Sequence, residues 1–161
     1  MDILPNAFWC GCAAIGFSVL FNIPKSALLS VWLSGFMAGL IKFGVIYPEV
    51  GGGMLLASWL AAATVGFASI PFAHWSHVPP TVISIPAVIP LVPGSFAYRT
   101  MLGLIKFIND TDESVLTQMI HNGIMTLFIL LALSVGVTFP MLLFRIESVK
   151  NIRLKLPWRD D

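Results

Sequence analysis

The chain has 161 residues, of which 57% are hydrophobic and only 11% charged, and nine Lys+Arg against eight Asp+Glu leave a net charge of +1. Soluble domains are about 25% charged, so a water-soluble monomer is excluded; near-neutrality excludes a basic nucleic-acid binder, and the apolar character throughout excludes disorder. What remains is a small integral membrane protein.

A bilayer core of ~30 Å needs ~20 apolar helical residues. The uncharged runs are continuous and rich in Leu, Ala and Gly, whereas barrel strands alternate in ~10-residue segments. The expected fold is therefore an all-α integral membrane protein with about five transmembrane helices. The N-terminus, Met-Asp-Ile-Leu-Pro, lacks the positive region of a cleaved signal, so the first helix is expected to stay. A first span is expected over about residues 6–23, between Asp2 and Lys25. Cys10 and Cys12 within it point ~200° apart, which suits small apolar fillers rather than a bridge or a metal site. Asn22, just before Pro24 and Lys25, either caps this helix or lines a polar pocket; capping is the simpler role.

The second span covers about 26–46, interrupted only by Lys42 near its end. Gly35 and Gly39 in it form a Gly-x-x-x-Gly pair, and Gly44 extends the small face, a pattern that permits close helix approach. Gly51-Gly52-Gly53 is a turn and lacks the Gly-Lys-Ser/Thr of a phosphate loop. The third span covers about 53–73, with Ala62 and Gly66 repeating the small-residue spacing. His74, Trp75 and His77 at its end fit an interfacial belt; with no Cys, Asp or Glu beside them, no metal or cofactor site is expected.

Between Glu49 and Arg99 there is no Asp, Glu, Lys or Arg. That run is too long for one crossing, so it also holds most of a fourth element, over about 81–108. Its centre reads Ile85-Pro86-Ala87-Val88-Ile89-Pro90-Leu91-Val92-Pro93-Gly94-Ser95. Each proline removes an amide donor and clashes with the preceding turn, at ~3 kcal/mol or more in a helix interior. At membrane depth the freed carbonyls are tolerated only where protein or a wet cavity satisfies them. The fourth element is thus predicted to be discontinuous: a short helix to about Ile89, an unwound turn over 90–94, then a helix from Ser95 to about Ile108. Ser95 is placed to cap that second helix, whose N-terminus favours a carboxylate, as half-helices in secondary transporters do. Arg99 lies one turn on, and an arginine at this depth faces a cavity, a partner or the interface. Lys106, nearer the end, is expected to snorkel.

The fifth span covers about 115–144. His121 and Asn122 open it, and Ala132 with Gly136 repeats the small-residue spacing. The tail over 147–161 is basic, and with Arg145 the chain end carries Lys150, Arg153, Lys155 and Arg159. By the positive-inside rule this end is cytoplasmic. Five crossings then put Lys25 inside, the acidic loops at Glu49 and at Asp110, Asp112 and Glu113 outside, and the N-terminus outside; a re-entrant fourth element would instead leave the N-terminus inside. No His-Glu-x-x-His, Gly-x-Ser-x-Gly or intramembrane aspartate pair is present, so an enzyme is not expected.

Phe21-Asn22-Ile23-Pro24, the run from Ile85 through Ser95 with the following Phe96-Ala97-Tyr98, and Asn122 together resemble the ThrE-type threonine/serine exporter family, specifically its small-subunit (YjjB-like) module. The resemblance extends over about residues 13–146, and the Val-Ile-Pro-x-x-Pro-Gly core is its most specific part. It implies the smaller of two membrane modules, working with a larger YjjP-like membrane subunit in a bacterial inner membrane. It further implies export of a small carboxylate solute: threonine or serine, or succinate for the split pair. The site residues expected from the residues and the resemblance are Pro90, Pro93, Gly94, Ser95, Asn22 and Asn122. Arg99 lies outside the family pattern and is a candidate on charge alone. The partners expected are the lipid bilayer, the larger subunit and the solute, with self-association left open. The alternative is a non-transporting scaffold that stabilises a larger partner.

Overall fold

A computed structural model describes residues 3–46, 53–109 and 113–144. The acidic residues Glu49, Asp110 and Asp112, the turn at Gly51-Gly52 and the basic tail lie outside the described residues. The described chain is helical: α1 (Ile3–Leu20), α2 (Leu28–Ile46), α3 (Met54–Ser76), α4 (Pro80–Val88), α5 (Gly94–Asn109) and α6 (Glu113–Leu143). Short 3-10 turns at Lys25–Ala27 and Ile89–Leu91 precede α2 and follow α4. Four segments are long and apolar enough to cross a membrane: Ile3–Leu20, Lys25–Ile46, Met54–Ser76 and Glu113–Leu143. The pair Pro80–Leu91 and Gly94–Ile108, bent by 53°, makes a fifth if counted as one span. The protein is an all-α membrane protein with a discontinuous fourth element.

Small residues set the helix seams. On α2, an added Cβ at Gly35 would meet the Ala14 Cβ of α1 at 2.9 Å, and one at Gly39 would meet the Ala7 Cα at 2.8 Å. Gly44 takes no part, since nothing lies within 4 Å of its added Cβ. The other two small-residue pairs meet each other. A Cβ at Gly136 of α6 would lie 2.8 Å from both the Ala62 Cβ and the Trp59 carbonyl of α3, and one at Gly66 would lie 2.7 Å from the Val137 carbonyl. Without a hydrophobic drive between helices in lipid, such close approach is what van der Waals association requires.

The directions of the helices follow from these contacts. α1 and α2 are antiparallel, and Ser30 at the start of α2 hydrogen-bonds Ser76 at the end of α3 at 2.6 Å. α3 and α6 run parallel, from the Trp59–Gly136 contact to the Phe67–Phe144 ring pair. The Lys25 turn and the ends of α3 and α6 therefore share one end of the bundle. Asn22 closes α1 in the left-handed region at φ 53°. Its amide bonds the Val19 carbonyl at 3.1 Å and the Ile23 amide bonds the Ser18 carbonyl at 3.0 Å, a Schellman ending that satisfies two orphan carbonyls.

At 31 residues, α6 is about 46 Å long, well beyond the ~30 Å bilayer core. Its two halves have different partners. Its buried residues Ile129, Leu133, Gly136 and Pro140 all lie in the C-terminal half, which packs on α3, while the N-terminal half forms an antiparallel hairpin with α5 through Gly103–Met119 and Thr100–Gly123. α5 packs chiefly on α6, and none of its residues from 94 to 108 is fully buried.

Candidate functional site

The break in the fourth element is set by its prolines. α4 ends at Val88, the Ile89–Leu91 turn tightens around Pro90, and Pro93 prevents continuation. The Gly94 amide turns back to the Val92 carbonyl at 2.9 Å, and the Phe96 amide starts α5 by bonding the Pro93 carbonyl at 3.2 Å. The Leu91 carbonyl is thereby deprived of a helical donor. The turn is not at the edge of the molecule: it touches α1, α2, α3 and α4, and Leu91 is fully buried.

The group that satisfies this carbonyl is Lys42. Its Nζ, brought from the last turns of α2, donates to the Leu91 oxygen at 2.7 Å. Lys42 is 7% exposed, the one buried charged side chain among the described residues, where the other buried polar side chains are serines. Most of these serines bond carbonyls of their own helix, as Ser18 does to Ala14 and Ser34 to Ser30, each at 2.8 Å. The hydroxyl of Ser58 alone is buried with no hydrogen-bond partner among the described residues.

A second polar locus lies in the α5–α6 hairpin. Arg99 and Lys106 of α5 and Gln118 and Asn122 of α6 line a groove of about 300 Å³. Two cations and two amides on facing helices make an anion-attracting surface, since Arg and Lys supply charge-assisted donors and the amides supply neutral ones. Larger cavities, of about 580 and 490 Å³, open at the opposite end around Ser30, Ser76 and the His74–His77 turn, and their walls are mostly apolar. No group of three metal-ligating side chains occurs among the described residues.

The residues singled out from the sequence fall into three places. Pro90 and Pro93 form the break, half-buried and buried respectively; Gly94 and Ser95 follow in the exposed first turn of α5. Because α5 starts at Gly94, Ser95 lies inside the helix and its hydroxyl makes no hydrogen bond among the described residues, so the capping expected of it is not seen. Arg99 and Asn122 come together in the groove. Asn22 stands apart, at the end of α1. Sequence reasoning set aside two residues that matter here. Lys106 shares the face of Arg99, two turns away, a spacing visible in the sequence. Lys42 was visible as a charge inside an apolar run, but its partner is 49 residues away in the chain.

The model of the family described as Threonine/Serine exporter, ThrE, matches residues 6–143. An uncharacterized protein of Haemophilus influenzae is 26% identical over 145 residues, covering 89% of this chain and 48% of its own length. The chain thus spans about half the length of this relative. No solved structure matches.

Proposed function

Because the chain belongs to the threonine/serine exporter ThrE family, we propose that it is the small membrane subunit of an exporter, moving a small carboxylate metabolite with a larger YjjP-like subunit. The family match over residues 6–143 carries this reading. Its half-length coverage of the relative supports a partner module that supplies the rest. Threonine and serine are the first solutes to test and succinate the next; all carry the carboxylate that a cationic groove attracts.

In this reading the broken element lines the path. Pro90 and Pro93 hold the backbone open, Gly94 and Ser95 present the first turn of α5, and Arg99 with Asn122 draws the solute in. Asn22 serves the end of α1, and we assign it no solute contact. The positive-inside rule then orients the chain in the inner membrane. The Lys25 turn and the end of α6 share one side, and the basic tail beyond α6 makes that side cytoplasmic. The scaffold reading has one observation in its favour. Tyr98, Met101, Ile105 and Ile108 form an exposed apolar stripe along α5, from 54% to 75% exposed, suited to lipid or a partner.

The deciding experiment is flux of threonine, serine and succinate from vesicles holding this chain with and without the larger subunit. Export is expected only with both present. The double variant Arg99→Gln/Lys106→Gln is expected to lower it about tenfold, the loss of roughly one charge-assisted contact. Undiminished export after the 86–95 segment is rebuilt as polyalanine would place the path elsewhere and leave the scaffold reading standing.

A further inference from the structure

The break raises a question of charge. Lys42 is buried at the junction of four helices with an ammonium that holds one neutral carbonyl. An ammonium has three donors, and one is used here. Among the described residues the sole carboxylate is Glu113, at the far start of α6, and the thiol-bearing Cys10 of α1 packs against Gly39 of α2, one turn before Lys42. α2, α3 and α4 bring no other charged side chain to the break. A buried cation with no carboxylate beside it among the described residues is costly in a membrane, and residues retained at that cost face partners or transported solutes. A carboxylate is a stronger acceptor than an amide carbonyl and also neutralises the charge.

We propose that Lys42 is a carboxylate-binding residue of the transport path, exchanging the Leu91 carbonyl for the acid group of the solute. The proposal rests on the exporter reading above and names what that path recognises. In the state described here the Leu91 carbonyl occupies the ammonium and holds the turn against α2. When a carboxylate takes its place, the bond that ties the break to α2 is given up, so solute recognition and release of the broken element are one event. The exchange moves no covalent bond. Pro90 and Pro93 are what keep the Leu91 carbonyl free to serve as the stand-in.

The test uses vesicles holding this chain and the larger subunit, with labelled threonine and succinate. Lys42→Met is expected to raise the half-saturation concentration about tenfold or more, the factor corresponding to ~1.4 kcal/mol, while Lys42→Arg retains the charge and most of the flux. Threoninamide, which lacks the carboxylate, is expected to compete poorly with threonine on the unaltered protein. Half-saturation unchanged in Lys42→Met overturns the role of Lys42 alone. Should that variant fail to insert, the amide decides on the wild-type protein, because competition equal to that of threonine also overturns it. Wild-type vesicles that move no solute overturn the exporter reading and this inference with it.

Discussion

α6 meets its two neighbours at different spacings. Over its C-terminal half the contact atoms are backbone or rigidly held: the Trp59 carbonyl and Ala62 Cβ against Gly136, and the Val137 carbonyl and Pro140 ring against Gly66. Over its N-terminal half one contact with α5 is as close, the Met119 Cβ 2.9 Å from a Cβ added at Gly103, but the other is open, with the Thr100 methyl of α5 3.4 Å from one added at Gly123. Backbone and Cβ atoms cannot yield without moving a helix, whereas the spacing at Gly123 already admits a methyl group. The same helix is therefore closed against α3 and leaves room against α5 at Gly123, beside Asn122 of the polar groove.

This contrast can be broken by mutation. The largest effect is expected from Gly136→Leu, which drives a branched side chain into the Trp59 carbonyl and Ala62; overpacking of this kind costs about 1–3 kcal/mol or more. A thermal scan in detergent should show a lower Tm or no cooperative transition, and an unaltered Tm would mean that α3 and α6 are not seated as described. Gly123→Ala should do much less, within about 1 kcal/mol, because the nearest atom, the Thr100 methyl, already stands at ordinary contact distance; a loss as large as that of Gly136→Leu would erase the distinction between the halves. The smallest effect is expected from Arg99→Gln/Lys106→Gln, where melting should shift by no more than about 0.5 kcal/mol while export falls. Equal loss of melting and of export would mark the groove as a structural element.

Much of the molecule was legible in the sequence because the signals are local. Proline chemistry alone located the break, since missing amides act within one turn wherever they occur. The seams were legible for a related reason: Ala62, Gly66, Ala132 and Gly136 announce close approach, although not that the two pairs face each other. Gly44, of the same residue type, shows the limit, for it faces open space. The site was less legible. The role of Lys42 depends on the carbonyl of a residue 49 positions on, a contact created by helix packing. The groove likewise exists because α5 turns away by 53° to lie along α6, and no residue spacing specifies that angle. Ser95 erred by a single position: a helix that begins at Gly94 turns an expected cap into an ordinary first-turn residue.

The geometry of α5 has a mechanical consequence. With 16 residues it is an arm about 24 Å long, so each ~10° of rotation about the break carries its far tip about 4 Å while its near end hardly shifts. Lys106 near that tip sweeps most of the arc, and Ser95 beside the pivot sweeps almost none. A displacement of atomic size at Leu91 is thus multiplied along the arm, so the width of the cationic groove is governed from a point enclosed by four helices.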